Sequence, residues 1–223
     1  MSVHYVSLGA FCEVTHQLKR LRLKQASLPF DWAFAPLDFL NAALDILLRP
    51  PFAEGADRPE GVAGDFLDLC RVHQQGPHKA CPHNALDRAE DILELERRAF
   101  RFRDLLLRGS EGTIVFIRKH NNWGQRNCTD DQMIALLRRL RAAIAVSVRI
   151  VFIVINVCDT GQLPSDPDLL RDDLPNAVFV KATFPDHSVW EGHNPSWDAL
   201  DLANHRRWIQ DLAPNGPIGA TSA

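Results

Sequence analysis

Residues 3–32 read VHYVSLGAFCEVTHQLKRLRLKQASLPFDW. Val3, Tyr5 and Val6 carry strand-forming side chains, and Ser7-Leu8-Gly9 follows as a turn in which glycine takes backbone angles that other residues resist. From Val14 onward, Val14, Leu18 and Leu21 recur at helical spacing, with Lys19, Arg20, Arg22 and Lys24 on the other side. The stretch is a strand, a turn, an amphipathic helix and a compact aromatic-acidic motif, Pro29-Phe30-Asp31-Trp32. Cys12 falls at, or within a turn of, the helix N-terminus.

The same alternation continues along the chain. Pro36 opens a second helix through Leu48, and the Pro50-Pro51 pair ends it. Residues 53–64 read as a surface loop, and a long helix runs from about Ala85 to Leu107, closed by Gly109. Thr113 to Arg118 is a short β-branched and aromatic run of the kind covered on both faces, and Val148 to Val157 is the most strand-like segment, expected at the centre of the sheet. Between them Thr129 caps a helix through Ile144. Leu169 to Leu174 suggests a short helix, Ala177 to Phe184 a further strand and Asp198 to Leu212 a final helix.

Strands alternating with helices predict an α/β fold of three layers: a mainly parallel sheet, helices on both faces, and a helical insertion at about residues 50–110 after the first strand. One domain spanning residues 1–213, with a frayed tail at 214–223, is the expected organisation.

The 223-residue chain is 46% hydrophobic and 24% charged, ordinary for a globular protein. A net charge of −3 gives no general attraction to nucleic acid, and the basic run from Lys19 to Lys24 reads as the solvated side of one helix. Five widely spaced cysteines, and an N-terminus without a charged then apolar leader, point to a reduced cytoplasmic protein. No run of about 18 apolar residues is present to span a bilayer, since Ser147, Arg149 and Asn156 interrupt residues 142–157. The expected partner is a small-molecule or peptide substrate, and no cofactor is expected.

Several chemistries fit these residues. Unpaired backbone N–H groups at a helix N-terminus stabilise an anion, which suits a nucleophilic thiolate at Cys12, although cysteine is also a common core filler. Histidine partners are offered by His83, by His120 at a strand end and by His193 in a loop, and the backbone amides of Gly9 to Cys12 are natural oxyanion donors. Asp31 either orients that histidine or ties down its own loop. Cys70, His73, His78, Cys81 and His83 crowd five possible zinc ligands into fourteen residues without a common finger spacing, so the metal assignment is none. The turn at Ser7–Cys12 also suits a Rossmann-like transferase or a nucleotide- or sugar-phosphate-binding domain, but it lacks a glycine-rich fingerprint and a Walker lysine.

Taken together, SLGAFC at 7–12, QLKRLRLKQASLPFDW at 17–32, RRAFRF at 97–102 and IVFIRK at 114–119 resemble a bacterial family described as “putative papain-like cysteine peptidases”, originally a domain of unknown function. The resemblance spans about residues 3–160. It implies Cys12 as the nucleophile and His83 as its histidine partner, with Asn84 standing where the family has aspartate. The expected function is hydrolysis of an amide, ester or thioester.

Overall fold

The computed structural model describes residues 2–9, 12–49, 61–74, 86–107, 112–120, 128–158, 168–170, 174–185, 192–204 and 208. Among them five strands form one sheet: β1 (Ser2–Ser7), β2 (Gly112–Lys119), β3 (Arg149–Cys158), β4 (Asp168–Leu170) and β5 (Ala177–Pro185). Their order is β1-β2-β3-β5-β4, and the first four are parallel. Leu169 and its neighbours were expected to be helical. They pair instead, antiparallel, with Phe179 to Lys181 of β5. The open edge of β5 supplies backbone partners that three residues could not supply to themselves as a helix.

The α-helices bounded within the described residues are α1 (Cys12–Arg20), α2 (Leu37–Leu47), α3 (Val62–His73), α4 (Ala89–Leu107), α5 (Asp130–Ala143) and α6 (Pro195–Ala199). Helix α5 starts as its sequence dictates. The Thr129 hydroxyl accepts from the Gln132 N–H at 3.3 Å while the Gln132 side chain accepts from the Thr129 N–H at 2.9 Å, a reciprocal capping box. In the span expected as the final helix, α6 ends at Ala199, a 3-10 turn follows at Leu202–Asn204, and Trp208 is helical. Asn194 sets where α6 begins by accepting from the N–H groups of Ser196 and Trp197.

Parallel strands laid down in one direction put right-handed crossovers on one face. Accordingly α2, α3, α4 and α5 share a face, where Val6, Leu8, Ile114, Phe116, Ile150, Phe152 and Phe179 meet them. Phe30 of the Pro-Phe-Asp-Trp motif is fully buried there, edge-on to Phe39 of α2, Phe66 of α3 and Phe102 of α4. The opposite face takes α1 through Val14 and Leu18, and the C-terminal segment through Trp197, Leu200, Leu202 and Trp208.

The chain therefore passes from one face to the other between α1 and α2. It does so around β1, an outer strand, and Gln25 donates to the free carbonyl of Val3 at 2.8 Å on the way. Three layers, a mainly parallel sheet and a helical insertion after the first strand are thus all present. Tyr5 ties the C-terminal segment down by donating to the Leu202 carbonyl at 2.7 Å, and burial with the nearby Asp201 pushes its phenol up to about 12. Among the described residues no helix is long and apolar enough to cross a membrane.

Candidate active site

The parallel strands end at one edge of the sheet, and the sequence delivers three groups of polar side chains to it. The first is Cys12, the opening residue of α1. Gly9 makes the turn before it, at φ 71°, and a side chain there would place its Cβ 2.6 Å from that of Ala35. Only glycine meets both conditions. Cys12 is buried, and burial pushes its thiol up, while its own backbone N–H pulls in the other direction. The resting sulfur therefore keeps its proton.

Glu13 and Lys119 form the second group. They make a buried ion pair on the α1 face, and the Trp197 indole N–H donates to the other carboxylate oxygen of Glu13 at 2.8 Å. The Lys119 ammonium also lies 5.9 Å from the centroid of Phe184. The first turn of α1 is thereby fastened to the end of β2 and to α6. Gln17 and Arg20, further along α1, hold Gly192 and Asp198 of the same C-terminal segment.

Arg118 and His120 are the third group. The Arg118 guanidinium is fully buried, donating to the carbonyls of Leu8 and Ala35, both at 3.0 Å, beside the Cys128 thiol. It braces the turn before Cys12 against the loop after the Pro-Phe-Asp-Trp motif. Next to it His120 is 1% exposed, and neither ring nitrogen has a hydrogen-bond partner among the described residues. Burial, aided by the Arg118 charge, depresses its imidazole to about 4. His120 is neutral at physiological pH.

Asp31 is fully buried, and its carboxylate is occupied. Oδ2 lies 2.5 Å from the Lys24 ammonium and accepts from the Leu28 N–H at 2.5 Å, and the Thr15 hydroxyl bonds the Asp31 carbonyl at 2.5 Å. Burial pushes the Asp31 carboxyl up and the Lys24 ammonium down, each opposed by the other's charge. This geometry gives Asp31 the part of a loop anchor fixing the Pro-Phe-Asp-Trp segment to α1.

His83 and Asn84 lie outside the described residues, as do Ala10 and Phe11 among the expected oxyanion donors. The Gly9 N–H is turned to the Ser7 hydroxyl at 3.3 Å. His193 is exposed and bonded to Asp198 at 2.8 Å. Of the five possible zinc ligands, Cys70 is buried in the core between α2, α3 and α4, and His73 packs edge-on to Phe39. His78, Cys81 and His83 are outside the described residues, and among the described residues no three metal-binding side chains come together.

Two features of this edge are not singled out from the sequence. The buried Glu13–Lys119–Trp197 set joins residues 184 positions apart and has no local signature. His16 does have one, falling four residues after Cys12 on the same helix, where its ring meets Trp32 edge-on at 4.9 Å between centroids.

No curated protein and no solved structure matches the chain. Residues 3–60, which hold β1, the Gly9 turn, Cys12, α1, the Pro-Phe-Asp-Trp motif and α2, match a family model described as “putative papain-like cysteine peptidase”.

Proposed function

We propose that the protein is a cysteine hydrolase that cleaves an amide, ester or thioester through the Cys12 thiol. The observation that carries this is the placement of Cys12 as the first residue of α1, set by an obligatory glycine turn at the C-terminal edge of a parallel sheet. Such an edge is where α/β sheets collect their reactive loops, and the helix N-terminus favours negative charge on sulfur as it develops. The family match over residues 3–60 supports the same chemistry.

Because burial holds the thiol protonated, attack requires a base that takes the proton as the bond to carbon forms. Sulfur adds to the carbonyl carbon, the carbonyl oxygen takes the negative charge, and the base returns its proton to the departing amine, alcohol or thiol. Water then attacks the acyl-sulfur bond, gives a proton to the base, and frees the acid and the thiol. His83, with Asn84 orienting it, is the base that the family resemblance implies.

A nucleotide- or sugar-phosphate-binding domain is the other reading of this turn. Doubly wound sheets seat such ligands where the strand order reverses, whereas here the order runs in one direction from β1. The hydrolase reading stands ahead on that ground.

The test is acylation by p-nitrophenyl acetate. A burst of nitrophenol is expected, with one acetyl group mapped to Cys12 by mass spectrometry. Equal nitrophenol release from a Cys12→Ala variant would overturn the proposal.

A further inference from the structure

Resting on that reading, we infer that His16 is the base that takes the proton of Cys12, so that nucleophile and base share helix α1. The two residues are four apart on one helix, which places their Cβ atoms about 5–6 Å apart on one face. Helical side chains lean toward the N-terminus, and the His16 ring therefore leans over the turn that begins with Cys12.

The rest of α1 agrees with this face being the working one. Val14 and Leu18 point into the sheet, and Glu13 and Gln17 are held by the C-terminal segment. Thr15 is bonded to the Pro-Phe-Asp-Trp segment. Cys12, His16 and Lys19 form the remaining row, at spacings of four and three. Trp32 walls this row on one side: its ring meets that of His16, and the Lys19 ammonium lies 4.5 Å from its centroid. On the other side Gly192 and Asp198 are tied to Gln17 and Arg20. His16 is half-buried between the two walls. An indole edge-on to an imidazole fixes the ring plane.

The other described histidines are placed for different work. His4 lies on β1, toward the end of the sheet remote from Cys12, and His73 packs on Phe39 in the helical layer. His193 is exposed and engaged by Asp198. His120 is enclosed beside the Arg118 cation, which repels a second positive charge and so opposes the imidazolium that a base must become.

The step balances within the two side chains. The S–H proton passes to a His16 ring nitrogen as the S–C bond forms, and the imidazolium N–H then protonates the leaving atom as its bond to carbon breaks.

The experiment measures the rate at which limiting iodoacetamide alkylates Cys12 at pH 7, by peptide mapping of the full chain. His16→Phe keeps an aromatic ring against Trp32 and removes both nitrogens. It is expected to slow Cys12 alkylation about 100-fold with an unchanged melting temperature, and added imidazole is expected to restore part of the rate. His120→Leu is expected to alkylate within about twofold of the parent. Parent-like alkylation of His16→Phe overturns the inference, and so does a slow variant that imidazole does not rescue, or a loss confined to His83→Ala. If the parent alkylates Cys12 no faster than Cys128, the hydrolase reading itself falls. If the parent is fast and His16→Phe equally fast, only the assignment of the base falls.

Discussion

Arg118 and Lys119 are consecutive residues of β2, both buried and both cationic, yet they are held in opposite ways. Lys119 faces α1 and meets a carboxylate, Glu13, whose second oxygen is bonded by Trp197. Arg118 faces the α2–α5 layer and meets two backbone carbonyls and a thiol, with no hydrogen-bond partner for its Nε among the described residues. The first charge is closed on itself and acts as a strut under Cys12. The second keeps an outward field that falls on His120.

The largest effect should come from opening the closed pair. Lys119→Met strands the Glu13 carboxylate in a buried site, and removing one member of such a pair costs about 3–5 kcal/mol. Urea unfolding at pH 7 should show that loss. The double variant Glu13→Gln/Lys119→Met leaves no buried charge at this site and should recover most of it. If the double variant is as unstable as the single one, the pair's value is packing rather than charge balance.

Arg118→Met should cost less, about 2 kcal/mol, because it strands two carbonyls but no charge. Its sharper signature is in pH. His120 has a folded value of about 4, below the roughly 6.5 expected unfolded, so the unfolded chain binds more protons between the two. Stability from this source is complete above about pH 6.5, falls as the pH drops toward 4, and amounts to something on the order of 3 kcal/mol. His120→Leu should remove that part of the pH dependence. Arg118→Met should only reduce it, since burial is the larger cause and remains. Urea unfolding of the three proteins at pH 7 and pH 4.5 checks the order.

What the sequence discloses divides along similar lines. Local codes are legible: the strand, Gly9 turn and helix around Cys12, the Thr129–Gln132 capping box and the continuous apolar run of β3 each lie within a few residues. Helix α3 is not anticipated, because its apolar residues Phe66, Leu67 and Cys70 follow a glycine-rich run that reads as loop. Strand β4 exists only because β5 offers an edge. Whether a buried cation meets a carboxylate depends on which distant element covers it, and nothing in IVFIRK distinguishes Arg118 from Lys119. The four-residue spacing of Cys12 and His16 is written in the sequence, but Trp32 as the wall beside it becomes visible only once the Pro-Phe-Asp-Trp loop is seen folded back on α1.

The smallest effect should come from a third cation, Arg20, at the far end of α1. Its guanidinium lies 2.5 Å from the Asp198 carboxylate, with side chains 25% and 36% exposed. An open pair of this kind contributes up to about 1 kcal/mol and is screened by salt. Asp198 also keeps His193 at 2.8 Å, so loss of the arginine does not leave the carboxylate alone. Arg20→Ala should therefore lower stability by about 0.5 kcal/mol in dilute buffer, and the difference should vanish in about 0.5 M sodium chloride. A loss above about 2 kcal/mol that persists in salt would mean that the C-terminal segment is held to α1 by this surface pair. Glu13 and Trp197 would then not be the fastening, and the contrast between the two cations of β2 would lose its structural half.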